Sequence, residues 1–134
     1  MKDGALHHVA LVTGDLARAI EFYRDVLGLS QVARPAFKSE GAWMFGGALE
    51  VHLIAHAGGN FRPNSLIDID DAHFAIRVED FEGAMTKLAM HGFREDAPDG
   101  DPKRIRIIRQ GVAGFSQAYF LDRDCNIIEV NAAR

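Results

Sequence analysis

Hydrophobic and polar positions along this chain form one series of segments that is written twice. The first copy opens on LHHVALV, a run of strand formers. Leu16, Ala19, Ile20, Tyr23 and Leu27 then fall on one face of a helix, with Arg18, Glu21, Arg24 and Asp25 on the other. Asp15 stands where an N-cap carboxylate accepts a bond from a free N–H of the first turn, and Gly28 where a glycine ends the helix. Short apolar stretches follow at Leu29 to Ala33, Ala42 to Phe45 and Leu49 to Ala55. In the second copy Asp80 is the cap, Phe81, Ala84, Met85 and Leu88 form the stripe, and Gly92 is the terminator. Its later strands are expected at Arg104 to Ile108, Phe115 to Leu121 and Ile127 to Asn131.

Sliding the chain against itself makes the repeat explicit. HVALVTGDLARAI over HFAIRVEDFEGAM gives identities at His8/His73, Ala10/Ala75, Asp15/Asp80 and Ala19/Ala84, and a one-residue gap aligns Gly28-Leu29 with Gly92-Phe93. The pattern predicts an α+β fold of two βαβββ modules in tandem. Module one spans about 6–56 and module two about 71–132, with a linker over about 57–70 that carries GGN, a proline and alternating aspartates. A module of about 50 to 60 residues buries too little surface alone, so the two are expected to form a single domain over residues 1–134.

Composition excludes several function classes. At 48% hydrophobic and 25% charged residues the chain matches an ordinary globular protein rather than a disordered or fibrous one. A net charge of -4 with scattered Lys and Arg leaves no footprint for a nucleic-acid backbone. No apolar run approaches the roughly 20 residues of a membrane span, and MKDGALHH lacks the apolar core of a signal peptide. A cytoplasmic protein with no membrane partner is expected. The one cysteine, Cys125, excludes an internal disulfide and a cysteine-based zinc site, so any metal must use nitrogen and oxygen ligands.

The repeat also pairs the chemistry-bearing residues. His8 and His73 are equivalent, and aligning LEVHL (Leu49 to Leu53) over NIIEV (Asn126 to Val130) puts His52 opposite Glu129. Strand parity places His8 with Ala10, and His52 with Glu50 and Ile54. Histidine and carboxylate together suit one divalent ion such as Zn, Ni, Co, Mn or Fe(II), held by His8, His52, His73 and Glu129. Arg77, on the His73 face of its strand, is a candidate anchor for an anionic substrate group. Trp43, with Phe45 on the same face, is a candidate stacking surface for a planar ligand, although core packing explains both aromatics as well. His7, which strand parity turns to the opposite face from His8, is read with His56 and His91 as a structural or surface residue.

HHVALVTGDLARAIEFYRDVLGL, HFAIRVEDFEGAMTKLAMHGF and YFLDRDCNIIEV together resemble the vicinal oxygen chelate superfamily, which includes glyoxalase I, extradiol dioxygenases, fosfomycin-resistance enzymes and bleomycin-resistance proteins. The resemblance covers nearly the whole chain. It implies a curved mixed sheet around a central cavity, a metal bound by the first and last strands of each module, and a homodimer. Bacterial glyoxalase I enzymes usually carry a carboxylate where this chain has His52. Extradiol enzymes use two His and one Glu, a set that His8, His73 and Glu129 satisfy, with His52 then an extra group. Where the family often shows Asp-Pro-Asp-Gly, this chain has Asp122-Arg123-Asp124-Cys125, a turn expected to survive with less rigid chemistry.

The resemblance implies a small-molecule substrate whose vicinal oxygens bind the metal as Lewis acid, with Glu129 doubling as catalytic base in a glyoxalase-like lyase or isomerase. The alternatives it leaves are an extradiol-type Fe(II) dioxygenase and a non-catalytic small-molecule binding protein.

Overall fold

A computed structural model describes residues 2–133. Ten elements follow in chain order: β1 (Val9–Thr13), α1 (Leu16–Asp25), β2 (Ser30–Val32), β3 (Gly41–Phe45), β4 (Glu50–Ala55), β5 (His73–Val78), α2 (Phe81–Met90), β6 (Arg106–Ile108), β7 (Gln117–Leu121) and β8 (Ile127–Ala132). They make two four-stranded mixed sheets, ordered β1-β4-β3-β2 and β5-β8-β7-β6, each with one helix. The βαβββ module is therefore present twice, in an α+β fold. The chain divides into two compact units between Asn60 and Phe61. No helix among the described residues is long and apolar enough to cross a membrane.

Both helices start and stop as their residues dictate. Asp15 Oδ1 accepts from Arg18 N at 3.1 Å, and Asp80 Oδ1 accepts from Gly83 N at 2.8 Å. The chain turns away at Gly28 (φ 76) and Gly92 (φ 87), the left-handed region that glycine adopts without a Cβ penalty. Replacing Asp80 with alanine is expected to cost about 1 kcal/mol, read as a lower urea midpoint at unchanged slope.

In the first unit, α1 buries Ala19, Phe22 and Tyr23, and the sheet buries Ala42, Met44, Val51 and Leu53. The buried stripe of α1 is thus rotated from the expected one. Phe22 is buried, as is Val26 just beyond the helix, while Ile20 and Leu27 are only half-buried. In the second unit Phe81, Met85 and Leu88 of α2 are buried, as are Ala118, Phe120, Ile128 and Val130 of the sheet. Phe93 meets Phe120 edge-on at 5.2 Å. Alternation along the strands puts the polar candidate residues on the opposite sheet face, where the second unit also buries Tyr119, Leu121 and Ile127.

Residues 61–70 are tied to the second unit. Ile67 and Ile69 pack on Tyr119, Leu121 and Ile127, and Arg62 donates to the carbonyls of Leu66 and Cys125.

Register carries the repeat down to single residues. In the first unit Ala10 pairs with His52 across the parallel β1–β4 ladder, and His52 pairs with Trp43. In the second, Ala75 pairs with Glu129 across β5–β8, and Glu129 pairs with Tyr119. His52 and Glu129 are equivalent positions, as are Trp43 and Tyr119.

The turn before β8 holds, with the Asp122 carboxylate accepting from Asp124 N at 2.9 Å, Asn126 N at 2.8 Å and Asn126 Nδ2 at 2.8 Å. Cys125 carries the strain at φ 65, a conformation L side chains disfavour. Burial, with Asp122 beside it, pushes the thiol pKa up, so Cys125 is no activated nucleophile. Cys125→Gly is expected to stabilise the chain by about 1 kcal/mol, the relieved strain less glycine's extra unfolded-state entropy, measured by urea unfolding.

Candidate metal centre

The first unit gathers its candidate residues on the sheet face opposite α1. The ring of His52 lies between two others, stacked on Trp43 at 4.3 Å and 7°, and on His8 at 3.9 Å and 13°. His52 Nε2 is buried with no hydrogen-bond partner and lies 3.4 Å from Glu50 Oε1. A buried imidazole nitrogen left this way is costly unless something binds it. His8 precedes β1, so residue-by-residue alternation does not govern it. Here His7 Nδ1 lies 2.9 Å from His8 Nδ1, and His7 Nε2 3.7 Å from Glu50 Oε2. His7, read from strand parity as facing away from His8, joins the same cluster because the ladder begins only at Val9.

The stacking limits what the pair can do. A metal lies in the plane of an imidazole that ligates it, and two nearly parallel planes 3.9 Å apart share no such point at bonding distance. His8 and His52 reach one ion together only if His8, which is exposed, turns.

In the second unit Glu129 is 5% exposed and fully engaged on one side. Its Oε1 accepts from Gln117 Nε2 and from Asn131 Nδ2, both at 3.0 Å. Its Oε2 faces His73 Nε2 at 3.3 Å. Burial pushes the carboxyl pKa up, but the amides of Gln117 and Asn131, with His73 and Tyr119, outweigh it and hold the pKa below the usual value. Burial and the nearby Glu129 push the Tyr119 phenol up, so Tyr119 stays a neutral donor.

His73 Nδ1 lies 2.8 Å from the carbonyl of Asp71. A carbonyl only accepts, so Nδ1 carries a proton, and Nε2 is the ring nitrogen turned toward Glu129. Nε2 and Oε2 can share one electrophile, a proton or in its place a metal ion. Ligands bound at about 2.1 Å stand roughly 3.0 to 3.4 Å apart on an octahedral or tetrahedral ion. The 3.3 Å separation of His73 Nε2 and Glu129 Oε2 fits, and imidazole with carboxylate is a donor set for a borderline divalent metal.

Arg77 is occupied. Its Nε donates to Asn131 Oδ1 at 2.8 Å and its guanidinium lies 4.8 Å from the Phe115 ring centroid. Arg77 therefore supports Asn131, which in turn supports Glu129. Each unit contributes a pair of the expected ligand residues, and no group of three or more His, Cys, Asp or Glu suited to holding a metal forms among the described residues. Gln117, Asn131, Tyr119 and Glu50 went unread in the sequence as site residues. The signal for the first three is the register that sets them beside Glu129 on one face.

A family model for the Glyoxalase/Bleomycin resistance protein/Dioxygenase superfamily matches residues 5–130. Glyoxylase I 4 of Arabidopsis thaliana is 27% identical over 128 residues, 94% of this chain and 69% of the relative. Glutathione transferase FosA of Serratia marcescens is 27% identical over 127 residues, 95% of this chain and 79% of the relative. Among solved structures, a mutant of the fosfomycin resistance protein FosX from Listeria monocytogenes, complexed with Mn(II) and 1S,2S-dihydroxypropylphosphonic acid, aligns with a TM-score of 0.72. It is 15% identical, covering 97% of this chain and 92% of that one.

Proposed function

The chain belongs to the Glyoxalase/Bleomycin resistance protein/Dioxygenase superfamily, and from that premise we propose that it is a divalent-metal-dependent lyase or isomerase of the glyoxalase type acting on a small substrate with vicinal oxygens. The observation that carries this reading is the aim of Glu129 Oε2 at His73 Nε2, two potential donor atoms at the separation of neighbouring metal ligands. His8, His52, His73 and Glu129 are the ligands in this reading. The orphaned Nε2 of His52 supports its part. The solved FosX complex, with Mn(II) and a dihydroxy acid, is in keeping with the ligand chemistry.

When bound, the ion supplies Lewis acidity toward the vicinal oxygens. The remaining work falls to the chain's own groups. Gln117 and Asn131 hold Oε1 of Glu129 and keep the carboxylate ionised, leaving Oε2, which would ligate the ion, to loosen and receive a proton from the carbon beside the substrate carbonyl. A carboxylate with a lowered pKa is a weak base, so its partner is a C–H acidified by that carbonyl. Tyr119, across the ladder from Glu129, offers a neutral O–H to a developing oxyanion. The reading includes a cytoplasmic homodimer, and sedimentation tests the dimer.

Elemental analysis of chain purified without chelator tests the proposal, and near-stoichiometric divalent metal is the expected result. A chain that stays metal-free after exposure to Ni, Zn, Mn and Fe(II) would overturn it in favour of the binding-protein reading. Trp43 is the one tryptophan and stacks on His52, so Ni(II) titration is expected to quench its fluorescence saturably in the parent and not in His52→Ala. The Fe(II) dioxygenase is the second reading. It takes His8, His73 and Glu129 as a two-histidine, one-carboxylate set with His52 as a shelf, and the parallel stacking of His8 and His52, which keeps the two rings as they stand from sharing one ion, favours it. Anaerobic Fe(II) loading followed by catechol and oxygen separates the two, since only the dioxygenase opens the ring.

A further inference from the structure

In the second unit residues 66–70, the loop 99–104 and Arg106 of β6 line a cleft of about 610 Å³, within the range of small-molecule sites, beside Tyr119, the ladder partner of both Arg106 and Glu129. Its walls are built before any ligand arrives. Ser65 Oγ donates to the carbonyl of Gly100 at 2.6 Å, tying the two sides together. Ile67 and Ile69 are packed down on Tyr119, Leu121 and Ile127, and Arg62 holds the carbonyl of Leu66.

The charges that line it differ in commitment. Arg104 is spent on structure, donating to the carbonyls of Glu95 and Ala97 and lying 3.7 Å from Asp99. The side chain of Arg106 is exposed and has no hydrogen bond or ion pair with any described residue. The side chain of Asp70, also exposed, has none either. A fixed cleft thus presents one uncommitted cation, at least one uncommitted carboxylate and an aliphatic wall whose Leu66 is 50% exposed. A plain anion would leave the aspartates facing it, and a plain cation would face Arg106. A molecule with both poles and an apolar body answers all three features.

We propose that this cleft binds a free aliphatic α-amino acid, its carboxylate on Arg106, its ammonium on Asp70 and its side chain along Leu66, Ile67 and Ile69. The proposal does not require a bound metal, although Arg106 lies across the ladder from Tyr119, the neighbour of Glu129.

The test uses the full 15N-labelled chain, with L-leucine as the probe. L-leucine is expected to shift the amide resonances of 66–70 and 99–106 saturably. 4-Methylpentanoate, which lacks the ammonium, and 3-methylbutylamine, which lacks the carboxylate, are each expected to bind at least about tenfold more weakly. Arg106→Gln and Asp70→Asn are surface substitutions whose own spectra report an intact fold, and each is expected to weaken L-leucine to a similar degree. The absence of saturable shifts in the cleft overturns the proposal. So does equal binding of either single-pole analogue, or L-leucine affinity unchanged in both variants.

Discussion

Glutamine in place of Glu129 is expected to lower divalent-metal affinity by about 100-fold or more while leaving the fold in place. The substitution is nearly isosteric. Its amide oxygen still accepts from Gln117 and Asn131, so the buried donors that surround Oε1 keep a partner. The change falls on the other atom. Where Oε2 faces His73 Nε2 at 3.3 Å, the variant puts an NH2 group, which donates to the imidazole lone pair and has nothing to offer a cation. The pair becomes a closed hydrogen bond, which satisfies His73 and removes it as a ligand too. Equilibrium dialysis against Mn(II) or Ni(II) with elemental analysis measures the loss, and circular dichroism with a urea midpoint within about 1 kcal/mol of the parent certifies the fold. Metal retained at parental affinity would remove Glu129 from the site.

The repeat was legible because it is written in residue types that local physics reads directly. Asp15 and Asp80 cap, the apolar stripes follow at helical spacing, and glycines take the left-handed turns at 28 and 92. Pairing His8 with His73 and His52 with Glu129 needed only that repeat. What escaped depends on register, which neither module's sequence states. Gln117 and Asn131 are ordinary polar strand residues until the ladder sets them opposite one another and one step from Glu129. His7 escapes strand parity because the ladder that enforces alternation starts only at Val9. Likewise 66–70 reads as connection by composition, yet its isoleucines alternate onto the sheet of the second unit. Fold-level pattern is local, whereas a site is made by pairings between distant strands.

Arg77 offers the sharpest contrast between the two levels. Strand parity makes it a cation on the His73 face and so a candidate substrate anchor, but its Nε is committed to Asn131 Oδ1 at 2.8 Å. That bond fixes which way the Asn131 amide points, since an oxygen turned to Arg77 leaves the NH2 for Glu129 Oε1. Removing the guanidinium frees the amide to flip, and a flipped Asn131 sets a carbonyl oxygen against the carboxylate. Arg77→Ala is therefore expected to weaken metal binding about 10- to 100-fold, the usual scale for groups that orient a ligand from behind. Asn131→Ala is expected to do the same, and the double variant to be no weaker than Asn131→Ala alone, because Arg77 acts through that residue. The alternative has a different signature. If Arg77 instead anchors the substrate, its alanine variant keeps parental metal affinity and raises KM for an anionic substrate, with the two losses adding in the double variant. Metal affinity measured across the four proteins decides between a positioning arginine and a binding one, without a substrate having first been identified.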